Sequence, residues 1–172
     1  MNLYQFHNNP KELDHHDLAH ENVPELFWPK ASYTNANWDL IKSKKELIAK
    51  SPLHALEFAK SQNEPFKLGE KAIATNAEYS FEYALEVLHH VFPLGEKIIA
   101  TNVTQSYWYA RKVLNGSFPL GEPIIAINGP SAVMYSKNVL NRRFELGEPA
   151  IKQLPHNDYH RQEYEKLWKI KL

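Results

Sequence analysis

The sequence predicts an all-α fold: tandem helix–turn–helix repeats forming a short α-solenoid with N- and C-terminal helical caps. Three observations carry that expectation. Leu-Gly-Glu recurs at 68–70, 94–96, 120–122 and 146–148, a spacing of 26 residues, each copy two residues after Phe66, Phe92, Phe118 or Phe144. A fixed period of that length is the mark of a repeat architecture. Between these marks, apolar or small residues fall at i, i+3, i+4, i+7 and i+8, the pattern of one buried helical face rather than the alternation of a strand. Asn76, Asn102 and Asn128 then stand where a new helix needs its first N–H groups capped. The expected division is a non-repeat N-terminal cap segment over 1–43, tandem helical repeats over 44–154, and a C-terminal capping helix over 155–172.

In chain order, Asn9-Pro10 opens a helix running to about Glu21, and the Pro-bounded aromatic segment Val23–Pro29 is expected to pack across the first unit. A degenerate first copy follows: Leu47 to Ser51 aligns with Ala72 to Asn76 and Phe58-Ala59 with Tyr83-Ala84, one residue short of the full spacing. Each full unit starts with a short helix. Its Gly suits a left-handed turn ending the preceding segment, and its Glu suits the positive end of the helix dipole. Pro123 and Pro149 fit the first helical turn, where a missing N–H costs nothing. Ser51-Pro52 makes the same kind of start, and Asn102 with Gln105 resembles a capping box. The second helix of each unit buries Ser80, Tyr83, Ala84, Val87 and Leu88, then Ser106, Tyr109, Ala110, Val113 and Leu114, then Ala132, Tyr135, Ser136, Val139 and Leu140. The closing helix turns Tyr164, Leu167, Trp168 and Leu172 inward.

The same alignment isolates what varies. Glu82, Trp108 and Met134 share one position; Leu85, Arg111 and Lys137 another; Glu86, Lys112 and Asn138 a third; His89, Asn115 and Asn141 a fourth. A solenoid keeps its stacking residues while its outer surface drifts toward what it binds, so this row is the expected recognition face. Charge drifts from unit to unit too, with Glu70, Glu78, Glu82 and Glu86 making the first full unit acidic and Arg111, Lys112, Lys137, Arg142 and Arg143 the following ones basic.

Lys plus Arg equals Asp plus Glu, 20 each, so no overall field attracts nucleic acid or anionic lipid. The absence of Cys removes disulfides, thiolate nucleophiles and Cys-ligated zinc. The opening residues lack the basic start and apolar run of a secretory signal, and no apolar stretch approaches the roughly 20 residues that span a bilayer. A cytoplasmic protein with no membrane partner is expected, in the host cytoplasm if its origin is viral.

Units of the form Phe118-Pro-Leu-Gly-Glu-Pro-Ile-Ile-Ala126, followed by Asn128, and the helix Tyr107-Trp-Tyr-Ala-Arg-Lys-Val-Leu114, resemble short helical repeats of tailed-phage and large-DNA-virus proteins. The likeness covers roughly 44–151. It implies a helical array of phage or viral origin, and it carries no catalytic residue or substrate over to this chain.

Chemistry-bearing clusters are few. His16 and His20 lie one helical turn apart and could face one metal, with Asp17 in the place of the usual metalloprotease Glu; a third ligand would come from His7, His89 or His90. A metal-dependent hydrolase is thus one alternative, set against a solvated, His-rich helix. The four repeated Glu residues are explained by helix starts, since catalysis needs one special pair rather than one acid per unit. The glycines form no phosphate loop, and no Ser sits in a nucleophile elbow. No catalytic residue and no cofactor is therefore expected. Arg111, Lys112 and Lys137 with Trp108 nearby give a second alternative, a nucleic-acid-binding module. The leading expectation is a non-enzymatic protein that binds another protein through Glu82, Trp108, Met134, Arg111, Lys112 and Lys137, in a viral setting as a modulator of a host factor or defence system.

Overall fold

The computed structural model describes residues 44–172. The readings made for 1–43, including the N-terminal cap and the pair His16 and His20, lie outside the described residues. Among the described residues the chain is all-helical, with no strand. A helical turn over 44–48 leads into α1 (Pro52–Gln62). Then come α2 (Glu70–Ile73), α3 (Ala77–Glu82) continued by a π-helical turn over Tyr83–Leu88, and α4 (Pro93–Ile99). α5 (Val103–Tyr109) is continued over Ala110–Leu114, and α7 (Gly129–Tyr135) over Ser136–Leu140, in the same way, with α6 (Glu122–Ala126) between them. A 3₁₀ turn over Glu145–Gly147 precedes α8 (Glu148–Lys152), and α9 (Tyr159–Trp168) closes the described chain.

The caps stand where the side chains require them. Asn76 Oδ1 accepts from the Tyr79 N–H at 3.0 Å, Asn102 from Thr104 and Gln105 at 2.9 and 3.2 Å, and Asn128 from Ser131 at 3.0 Å. Each satisfies N–H groups that a helix start leaves unpaired. The opposite ends fall on Asn63, His89, Asn115 and Asn141, all left-handed with φ between 50 and 55°. Asn tolerates that region because its short polar side chain bonds locally. Three of these four residues belong to the row that varies between units, and their common role is to end a helix.

The glycines of Leu-Gly-Glu do not make that turn. Gly69, Gly121 and Gly147 are right-handed, with φ near −88° as a group (−87, −89 and −87°). Their reason is proximity. A Cβ on Gly95 would lie 2.7 Å from Ser80 Cβ, and one on Gly147 would lie 2.6 Å from Ala132 Cβ. The small residue three before each Tyr is thus the seat on which the next Leu-Gly-Glu turn rests.

The one-residue difference between the first copy and the rest also has a location. From cap to left-handed residue, α1 (Ser51 to Asn63) is one residue shorter than the stretches from Asn76 to His89, Asn102 to Asn115 and Asn128 to Asn141. Only those longer stretches contain a π-helical turn, whose i→i+5 bonding absorbs one surplus residue. The buried Tyr therefore keeps its place while the residues beyond it swing round the axis.

Packing follows the order of the chain. α1 touches α3, α3 touches α5, α5 touches α7 and α7 touches α9, while each short helix lies on the long helix before it. Ile73, Ile99, Ile125 and Ile151 from the short helices, and Tyr83, Tyr109, Tyr135 and Tyr164 from the long ones, are wholly buried. At α9 the pattern departs from the sequence reading. Tyr164 points inward, but Leu167 is 43% exposed, and Arg161 is the buried neighbour instead. Arg161 occupies the seat that Ser80, Ser106 and Ala132 hold elsewhere. Its Nη1 donates to the carbonyls of Lys152 and Leu154, both at 2.9 Å, its Nη2 to that of Leu172, and its Nε to Glu165. A buried guanidinium is tolerated only when its donors are matched in this way.

Gly95→Ala is expected to destabilise the chain by about 1–3 kcal/mol through overpacking against the Phe92 ring and Ser80. Gly116, whose added Cβ would meet nothing closer than 3.8 Å, is the control. Gly116→Ala should leave stability unchanged or raise it by about 0.4–1 kcal/mol through the unfolded state. Urea melts of the two variants decide between packing and backbone conformation as the glycine's role.

Candidate functional site

The polar groups that converge inside the molecule do so four times over. Tyr83, Tyr109, Tyr135 and Tyr164 each accept a hydrogen bond from a backbone N–H, that of Phe66, Phe92, Phe118 and Phe144, at 2.9, 2.9, 2.8 and 3.0 Å. Each donates in turn to the Oε1 of Glu70, Glu96, Glu122 or Glu148, at 3.1, 3.0, 3.0 and 2.9 Å. The repeated Glu is therefore the acceptor for a buried hydroxyl as well as a helix-start acid. Burial pushes all four hydroxyls well above the usual tyrosine range, against the lowering effect of the Phe N–H and with the carboxylate adding to it; Tyr164 is raised to about 12. Each of the four settings ties a long helix to the short helix and Phe turn that begin its own unit.

The variable row is placed on the long helices and on their π-helical continuations, which touch one another in succession. Trp108 is half-buried. Its ring meets Tyr107 edge-on at 5.1 Å and carries Arg111 Cζ at 5.5 Å and Lys112 Nζ at 5.8 Å from its centroid. Arg111 also donates to the Tyr107 hydroxyl at 2.9 Å, and Asn138 of the next long helix donates to the same oxygen at 3.0 Å. Met134 is half-buried against the core. Glu82 and Glu86 grip Lys60 of α1 at 2.6 and 3.1 Å. Burial alone would lower the Lys60 pKa, but the two carboxylates outweigh it and raise it. Lys137 pairs with Glu163 of α9, and that contact raises the lysine pKa and lowers the glutamate's. The row thus has an ion pair at each end and an aromatic–cation cluster, centred on Trp108, between them. Beside Lys137 a groove of about 560 Å³ opens, lined by Tyr159, Gln162, Glu163, Lys166 and Leu167.

His89 and His90 bond through Nδ1 to the carbonyls of Leu85 and Val91. Among the described residues no group of three or more His, Asp or Glu is placed to hold a metal ion, and no helix is long and apolar enough to cross a membrane.

Sequence reasoning passed over one set of residues. Leu68, Leu94, Leu120 and Leu146 are identical in every unit, yet they are 58, 52, 55 and 56% exposed. Identity between units points in the sequence to a packing role, and here it accompanies a side chain that faces water. A cap or a core reason exists for the Gly, Glu and Phe of the same motif, and none exists for the Leu.

Because the four buried hydroxyls stay protonated in the folded chain but ionise near pH 10 once exposed, the folded state holds more protons above that pH. Their contribution to stability is complete below pH 10 and is lost as pH rises toward the folded-state values. Tyr109→Phe is expected to cost about 1–3 kcal/mol at neutral pH, since it strands the Phe92 N–H and Glu96. It should nonetheless lose less further stability than the parent between about pH 9 and about pH 11; urea melts at both values that show equal losses would count against this linkage. No known protein family matches the chain, and no curated protein or solved structure matches it.

Proposed function

We propose that the chain is a short α-solenoid that binds another protein and carries no reaction centre of its own. The row through Glu82, Trp108, Met134, Arg111, Lys112 and Lys137 is the binding face. The observation that carries this reading is Trp108, a half-buried indole flanked by two cations on the row where the units differ. Trp and Arg are the residues that dominate binding energy at protein interfaces, where a rigid ring is desolvated at low entropic cost. The solenoid arrangement is supported by long helices that touch in succession and by the same Tyr, Phe and Glu bonding at each step. Taken with the resemblance to phage and large-virus repeats, the partner in this proposal is a host factor or a component of host defence.

A nucleic-acid partner draws on the same cluster, because an aromatic ring among cations also suits stacked bases. Two features favour protein: Lys137 is already engaged by Glu163, and the opposite end of the row is acidic at Glu82 and Glu86.

The test passes host extract over the immobilised chain and over Trp108→Ala, with and without nuclease. One protein retained in stoichiometric amount by the parent, lost with Trp108→Ala and indifferent to nuclease is the expected result, with ellipticity equal in both chains. Retention that requires nucleic acid and falls steeply with salt would replace the reading with its alternative. Equal retention by both chains would remove this face from consideration.

A further inference from the structure

We propose that the chain pairs with a second copy of itself, antiparallel, through the row Leu68, Leu94, Leu120 and Leu146. This row belongs to the turns that start the short helices, and the proposal stands apart from the reading of the Trp108 face.

Each of the four leucines is more than half exposed, and Ile127, at 71%, extends the row. Between α6 and α8 the surface forms a groove of about 450 Å³ lined by Pro123, Ala126, Ile127, Leu146, Pro149, Ala150 and Gln153, with no charged side chain among them. Exposed apolar side chains at the same place in every unit, one of them lining an uncharged groove, mark an interaction surface. Its partner is indicated by the residues that flank the leucines. The residue before each is Lys67, Pro93, Pro119 and Glu145 in turn, and the residue three after is Lys71, Lys97, Pro123 and Pro149.

A two-fold axis makes an isologous interface, in which each contact occurs twice. Antiparallel pairing about the middle of the row sets Leu68 against Leu146 of the second copy and Leu94 against Leu120. Lys67 then faces Glu145, Pro93 faces Pro119, and Lys71 and Lys97 face Pro149 and Pro123. No lysine then meets a lysine, while the Glu two residues after each leucine meets Glu in either arrangement, its carboxylate being held by the Tyr hydroxyl of its own unit. Parallel pairing would instead set Lys67, Lys71, Lys97 and Glu145 each against itself. The Lys67 side chain is 79% exposed and lies 3.1 Å from its own Glu70, so its ammonium is held near the surface where Glu145 of the second copy arrives. Leu68 of that copy enters the uncharged groove beside Leu146.

Sedimentation equilibrium of the full chain tests this. The parent should sediment as twice 20.0 kDa, and the double variant Leu94→Ser with Leu120→Ser as a single chain, with unchanged ellipticity because both leucines face water. Lys67→Glu alone and Glu145→Lys alone should each weaken the dimer by about tenfold, since two pairs change at once, and the two together should restore it. Trp108→Ala should leave the dimer intact, which separates this proposal from the preceding one. A parent that stays monomeric up to high concentration overturns it. So does a dimer indifferent to the leucine changes, or charge reversals that fail to rescue each other.

Discussion

The buried tyrosine hydroxyl is the constraint around which the rest of the molecule is arranged. A phenol removed from water must find partners or cost the fold several kcal/mol, and each of the four finds the same two, a Phe N–H and a Glu carboxylate from the start of its own unit. The phenylalanine that supplies the N–H turns its ring the other way, onto the aromatic residue of the preceding long helix. Phe66 meets Phe58 at 4.6 Å, Phe92 meets Tyr83 at 5.0 Å, Phe118 meets Tyr109 at 5.1 Å and Phe144 meets Tyr135 at 5.1 Å. Ring contact and hydrogen bond therefore alternate from Phe58 to Tyr164. One residue per unit joins the two links, so a change in the position of any tyrosine is felt on both sides.

The first step of that series shows the rule by its exception. Phe58 stands where the later units have Tyr, and thirteen residues before it, where they have Glu, stands Lys45. The ammonium of Lys45 lies 5.8 Å from the centroid of the Phe58 ring. Hydroxyl and carboxylate have been exchanged together for a ring face and a cation, an attraction of the ring's quadrupole that needs no buried polar atom.

Much of this was legible in the sequence, and the failures have a common physical cause. Helix starts at Ser51, Asn76, Asn102 and Asn128 follow from local capping chemistry, and each cap makes its bond. The glycines were assigned a left-handed turn because local rules offer that use first. Their true reason is close contact with the Phe ring three residues before and with a residue some fifteen positions earlier in the chain (Phe92 and Ser80 for Gly95), and the second contact exists only once the two helices have packed. The Tyr–Glu bond escaped notice in the same way, since the helix dipole already gave the Glu a sufficient local role. The single-residue shortfall of the first copy was visible as a number but not as a turn type. Of the variable row, Trp108 with its cations emerged as a cluster, whereas His89, Asn115 and Asn141 proved to be helix ends. The leucines were hidden by the assumption that what repeats must be buried.

On each earlier long helix, the small residue three before the buried aromatic leaves room for the glycine that follows: Ala55 for Gly69, Ser80 for Gly95, Ser106 for Gly121 and Ala132 for Gly147. Arg161 changes that at α9. Where Ser80 or Ala132 leaves a notch for the next glycine, the guanidinium fills the space and spends its donors on the carbonyls of Lys152, Leu154 and Leu172, while Glu165 receives the Leu172 N–H at 3.0 Å. An incoming Leu-Gly-Glu turn, from this chain or another, would meet a filled and hydrogen-bonded surface. The face that receives the next turn on each earlier long helix is thus, on α9, occupied by one side chain whose donors are already spent within the chain.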